Sequence, residues 1–282
     1  MPHSNPIVSN DPIIDIKSVS FSQNFQLALR DILQGTKNWR LFGSLGWLDI
    51  KLRYRGSVLG PFWITIIMAV KIITIGVLYA YFFNMDMHTY LPYLSVSLML
   101  WTFITSNFIE SCSIFVNAQS LILSMRLPFT IYAWRNIVSN LITLLHNSLV
   151  LILVFSWYRV IPNHYFLFAA SLALLLIDSL ALNLLLGVLG TRFKDIPPIM
   201  NSIMQALFFI TPVIWDTSQL KFNYNYMLFN PMYPLLEITR SPLLGRCPSL
   251  STWLAALGYS VALWIVTLLV FTKARFRIPY WM

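Results

Sequence analysis

The stretch LDIKLRYRGSVLGPFWITIIMAVKIITIGVLYAYFF, Leu48 to Phe83, sets Lys51, Arg53 and Arg55 directly before a long apolar run. An α-helix needs about 20 apolar residues to cross the hydrocarbon core of a bilayer. Pro61 to Phe83 supplies that length with Lys71 as its only charge, so it reads as a transmembrane helix. Cations just outside a span favour the cytoplasmic side, so the basic cluster orients the helix.

Composition extends this reading to the whole chain. Of 282 residues, 57% are hydrophobic and 10% charged, with a mean hydropathy of +0.69, whereas soluble domains carry about a quarter charged residues. The chain is an integral membrane protein. Its net charge of +9 is spread between apolar runs, which fits topology and contact with anionic membrane lipids. No basic helix with interleaved aromatics stands apart, so nucleic acid is not an expected partner. The opening MPHSNPIVSNDPIIDIKS has no continuous apolar core of a secretory leader. Cys112 and Cys247 are predicted at opposite membrane faces, too far apart for a disulfide. His3, His88, His146 and His164 are scattered without zinc-site spacing, so no metal is expected.

Six apolar stretches count as spans or near-spans, at about 61–83, 91–112, 137–157, 165–190, 198–215 and 253–271. The fifth, within PPIMNSIMQALFFITPVIW, is short; Pro197 and Pro198 start its helix, and Pro212 bends or ends it. Such a span is sheltered by protein, which fits a place beside a pathway. With the N-terminus inside, fourteen Lys and Arg fall on the cytoplasmic side and four outside, so both termini are predicted cytoplasmic.

The predicted organisation is a cytoplasmic tail (1–20), amphipathic interface helices with a connector (21–60), and an all-α six-helix transmembrane domain (61–282). Phe21, Phe25, Ala28, Leu29 and Ile32 recur at helical steps, as do Trp39, Phe42, Leu45 and Leu48, giving two helices along the membrane surface. The cytoplasmic segment 113–136, SIFVNAQSLILSMRLPFTIYAWRN, reads as a helix-turn-helix broken at Leu127-Pro128, and 191–197 as a compact turn. The outer loop 216–252 mixes aromatics, prolines and short apolar pieces that predict interfacial or re-entrant helices. Residues 272–282 form a cytoplasmic tail.

Charges within spans need a protein or water partner, because exposure to hydrocarbon costs about 2.5–3.5 kcal/mol on insertion scales. Lys71 with Asp178 is the economical pairing, tying span one to span four, and the sequence leaves open whether they meet. His146 reads as a packing hydrogen-bond donor, and GSVLG, Gly56 to Gly60, as a bend. No glycine opens a nucleotide-binding loop, so any ATP-driven step belongs to another chain.

DIKLRYRGSVLGPFWITI, TRFKDI, TPVIW and NPMYPLLEITR together resemble the type-2 ABC exporter permeases, nearest to the O-antigen and related polysaccharide export permeases of bacterial inner membranes. The resemblance runs from about Phe21 to Arg277. It implies a homodimer of six-helix subunits with two copies of a separate ABC ATPase, which binds Mg-ATP, and export of a lipid-pyrophosphate-linked glycan from cytoplasm to periplasm. No cofactor is implied in this chain, and no catalytic residue.

By the same resemblance, Asp49 to Arg55 adjoin the ATPase and the substrate headgroup, with Lys51, Arg53 and Arg55 as gate cations; a guanidinium suits phosphate through paired donors. The segment holding Asn117, Ser120, Met125, Arg126 and Arg135 matches the first ATPase-coupling region, and Arg192, Phe193, Lys194 and Asp195 match the second. Spans one and five line the family's channel. Trp63, Tyr79 and Phe82, with Asn201, Gln205, Phe208, Phe209 and Trp215, offer aromatic faces for sugars and amides for their hydroxyls. Lys71 matches no family motif. Rival readings are a membrane-embedded glycan or lipid transferase using Glu110, Asp178 or Glu237, an ion-coupled transporter using Lys71 and Asp178, and an exporter of a small apolar substrate.

Overall fold

The computed structural model describes residues 20–82, 84–216 and 224–282, with the side chains of 224 and 225 excepted. The N-terminal tail, Phe83 and Lys221 lie outside the described residues. Within them every regular element is helical.

Helices α1 (Phe21–Lys37) and α2 (Trp39–Arg53) meet at Asn38. α1 turns Ala28, Asp31 and Gly35 inward. α2 turns Gly46 and Ile50 toward the protein and leaves Trp39 and Leu48 of the apolar stripe exposed. The reason is a close approach. A Cβ on Gly46 would lie 2.9 Å from the Arg135 carbonyl oxygen, and that carbonyl belongs to α7 (Thr130–Tyr158). Only the glycine face of α2 can seat there, and Ser139 Oγ donates to the Gly46 carbonyl at 3.1 Å.

Among the described residues four helices are long and apolar enough to cross a membrane: α3 (Phe62–Phe82), α7, α8 (Tyr165–Arg192), and the run Leu250–Trp281 that begins with α11 (Leu250–Ala274). This is a multi-pass membrane protein. α4 (Met87–Ser111) is 25 residues long but more polar, and buries Ser95, Ser97 and Asn107 among its neighbours. α3 packs on α4 and α7, while α8 is enclosed by α4, α7, α10 (Met232–Leu243) and α11. Gly190 of α8 permits the tightest approach, since a Cβ there would overlap the Cys112 carbonyl oxygen at 1.9 Å.

Two short helices, α5 (Ile114–Asn117) and α6 (Gln119–Ser124), follow α4. The predicted break at Leu127-Pro128 is present, and α7 then starts seven residues before the expected span. α9 (Ile196–Ile210) carries Pro197 and Pro198 in its first turn and packs on α4 and α8. At 15 residues it rises only about 22 Å, short of the roughly 30 Å hydrocarbon core. Thr211 is extended, as its place before Pro212 requires. A 3-10 turn spans Tyr224–Phe229. α10 is almost wholly buried against α8, α11 and α4, so this part of 216–252 is packed in protein. α12 (Ile278–Trp281) closes the chain beside α6 and α8.

Candidate functional site

The basic cluster ends α2, where positive charge favours the helix terminus, but its three cations diverge. Arg53 Nη2 meets Glu110 Oε1 of α4 at 3.3 Å. Both side chains are partly exposed, so the pair contributes little more than about 1 kcal/mol. Lys51 and Arg55 instead border a groove of about 760 Å³ with Trp47, Leu48, Leu52 and Pro61. The groove is thus amphiphilic, with apolar walls and two cations at its border. Partial burial raises the Tyr54 phenol above its ordinary value, with Arg53 opposing.

Behind Arg53 lies a polar cavity of about 370 Å³, lined by Asp49, Arg53, Glu110, Asn117, Arg135 and Asn136 among others. Arg135 grips Asp49 with two hydrogen bonds, Nε to Oδ2 at 2.6 Å and Nη2 to Oδ1 at 2.5 Å. This fork joins α2 to α7, and the Arg53–Glu110 pair joins α2 to α4. Asn136 continues inward, donating to Asn183 Oδ1 at 2.8 Å. In this chain Arg53 and Arg135 are both committed to carboxylates, whereas Lys51 and Arg55 have no carboxylate pair among the described residues.

Of the predicted channel residues, Asn201, Gln205, Phe208 and Phe209 share a groove of about 350 Å³ with Trp101 and Thr105. Phe208 leans on Trp101 with centroids 5.9 Å apart. Trp215 Nε1 donates to the Phe209 carbonyl at 3.1 Å, folding the turn after α9 back on its helix. Trp63 and Phe82 of α3 are exposed, and Tyr79 packs against the core. α3 and α9 both pack on α4, Tyr79 and Phe208 lie against the same apolar core, and no α3 residue lines the α9 groove.

The turn after α9 is held by residues that sequence reading missed. Tyr93 Oη lies 3.0 and 2.8 Å from the Pro212 and Trp215 carbonyls, and Tyr90 Oη donates to Ile214 at 2.9 Å. Arg240, 2% exposed, donates to Pro212 O at 2.7 Å and Ser97 Oγ at 2.9 Å, and stacks 4.3 Å from the Tyr93 ring centre. It also pairs with Glu237. That pair is spaced i,i+3 on a helix, a signal readable in the sequence.

Of the coupling residues, Asn117, Ser120, Met125 and Arg126 are exposed on or beside α5 and α6, as are Phe193, Lys194 and Asp195. Arg192 lies over the Trp281 ring at 5.2 Å and the Phe193 ring at 5.9 Å. α12 therefore braces the α8 end, and it also packs on α6. A second missed residue, Asp31, accepts from Phe129 N (3.2 Å), Thr130 N (3.0 Å), Thr130 Oγ1 (2.8 Å) and Arg275 Nε (2.9 Å). Its signal was a carboxylate among the apolar positions Ala28, Ile32 and Gly35 of α1.

Lys71 is exposed on α3, while Asp178 is buried on α8 and accepts from Ser260 of α11. The economical pairing of the two is therefore not made within the chain. Glu110, Asp178 and Glu237 are engaged by Arg53, Ser260 and Arg240 respectively. His146 Nδ1 lies 2.9 Å from the Ile142 carbonyl. Cys112 and Cys247 are both free thiols, the first buried beyond α4 and the second exposed beside His164.

Residues 40–244 match the family described as ABC-2 type transporter. Over 199 residues the chain is 24% identical to the O-antigen export system permease protein RfbA of Myxococcus xanthus, covering 70% of this chain and 76% of that protein.

Proposed function

We propose, because this chain belongs to the ABC-2 type transporter family, that it is the permease subunit which passes a lipid-pyrophosphate-linked polysaccharide of the O-antigen type from cytoplasm to periplasm. The similar Myxococcus protein bears the name of an O-antigen export permease, which supports the substrate class. The chain works as a homodimer in the bacterial inner membrane, with both termini cytoplasmic and six crossings, α4 and α9 with its following turn completing the four long apolar helices. Two copies of a separate ABC ATPase bind Mg-ATP and drive the cycle. They dock on the exposed surface of α5, α6 and the turn at Arg192 to Asp195.

The observation that carries the substrate reading is the amphiphilic groove at the α2–α3 elbow. A lipid pyrophosphate needs cations beside an apolar wall. Lys51 and Arg55 border one formed by Trp47, Leu48 and Leu52, and Arg supplies the planar donor fork suited to phosphate. Sugars then pass the aromatic and amide side chains of α3 and α9, with the two subunits supplying opposite walls. Lys71 faces that polar path, because a cation turned to hydrocarbon is costly.

The deciding experiment is ATP hydrolysis by the chain co-purified with the ATPase encoded beside it, in lipid discs, with and without a lipid-pyrophosphate-linked glycan. Glycan-stimulated turnover supports the reading. A co-purified ATPase indifferent to the glycan but stimulated by small apolar compounds would move the assignment to a small-molecule exporter. Sugar transfer by the chain alone would make it a transferase.

A further inference from the structure

A cleft of about 430 Å³ lies between α4, α8, α10 and α11 and shares no lining residue with the α2–α3 elbow groove or the α9 groove. Its size falls within the range of small-ligand pockets, about 300–1,000 Å³. The wall is apolar, formed by residues such as Ile104, Leu175, Leu182, Leu235 and Leu263, and its polar side chains are few. Ser179 donates to the Leu175 carbonyl at 2.8 Å, and Tyr259 Oη to those of Leu228 and Phe229 at 2.9 and 3.1 Å. Asn107 donates to Phe103 O at 2.9 Å and accepts from Asn183. Each of these is satisfied by the protein.

Asp178 is not. The residue is 4% exposed; Oδ1 accepts the Ser260 hydroxyl, while Oδ2 has no hydrogen-bond partner among the described residues. Among the described residues no Lys or Arg lines the cleft. A buried carboxyl with an idle oxygen is costly unless a donor or counter-charge reaches it. α8 and α11, which form two of its walls, are among the described helices long and apolar enough to cross a membrane.

We propose that this cleft binds an aliphatic amine, its chain on the leucine wall and its ammonium group on Asp178 Oδ2. An ammonium carries three donors and the balancing charge, which a hydroxyl lacks. The site is separate from the polysaccharide path and does not depend on that reading.

The test is photolabelling of the full chain in lipid discs with an n-decylamine bearing a mid-chain diazirine, mapped by peptide mass spectrometry. Label is expected on the α8 segment 175–186 and the α11 segment 259–266, competed by excess n-decylamine and at least tenfold weaker in Asp178→Asn. Leu263→Trp, which fills the cleft and leaves the carboxyl in place, is expected to abolish the label even if the Asp178 variant fails to fold. Label spread over all membrane-facing helices, or undiminished in a folded Asp178→Asn or in Leu263→Trp, overturns the site. Equal labelling by the matched alkanol probe overturns the ammonium assignment.

Discussion

Asp31 and Arg275 stand 244 positions apart, yet the Arg275 Nε–H donates to a fully buried Asp31 carboxylate at 2.9 Å. The same carboxylate caps α7 through the backbone N–H groups of Phe129 and Thr130. One side chain therefore ties α1, the start of α7 and the C-terminal end of α11 into a single joint. Asp31→Ala is expected to cost about 3 kcal/mol, because it strands Arg275 and uncaps α7 together. Thermal unfolding of the detergent-purified chain measures it, and a change within about 0.5 kcal/mol would mean that the joint is redundant.

The Asp49–Arg135 fork joins α2 to α7. Removing either partner is expected to destabilise the chain by about 1–2 kcal/mol, the loss of charged hydrogen bonds at a half-buried site. The Asp49→Arg, Arg135→Asp exchange should recover part of that loss. Denaturation of the two single variants and the exchange tests the coupling, which purely additive losses would refute.

Lys51 and Arg55 border the elbow groove, whereas Arg53 is bound to Glu110. Lys51→Ala with Arg55→Ala is expected to lower glycan-stimulated ATP hydrolysis at least tenfold, a loss of about 1.4 kcal/mol or more in the free energy of the stimulated step. Basal hydrolysis should stay near wild type. Arg53→Ala should have a smaller effect on stimulation than the double variant. If instead Arg53→Ala alone abolishes stimulation, the headgroup sits in the polar cavity behind α2.

Arg240 holds the turn after α9 through the Pro212 carbonyl. Arg240→Met leaves Glu237 without its counter-charge and releases Pro212, an expected loss of about 3 kcal/mol. Adding Glu237→Gln should restore more than half of it by removing the stranded charge. Proteolysis at 211–216 in discs gives an independent reading: faster cleavage in Arg240→Met is expected, and an unchanged rate would detach Arg240 from the turn.

Lys71 lies exposed in the middle of α3. Lys71→Leu is expected to improve membrane insertion of α3 by about 2–3 kcal/mol while lowering transport. Insertion assays on the isolated segment and transport by the whole complex separate the two effects. Unchanged transport would place Lys71 outside the path.

Sequence alone determined the helices α1, α3, α7, α8 and α11 and the stop of α9 at Pro212. Hydropathy, helical periodicity and the steric demand of proline act over a few residues and need no partner. It also exposed the basic cluster and the family motifs from DIKLRYR to NPMYPLLEITR. What each charge holds was decided only by the tertiary structure. Arg53 reaches Glu110 across 57 positions, Arg135 reaches Asp49 across 86, and Ser260 reaches Asp178 across 82. Such choices follow from which helix faces approach closely, as Gly46 and Gly190 allow α2 and α8 to do. A cation and a carboxylate carry no record of each other in local sequence; packing brings them together, and burial makes the pairing matter.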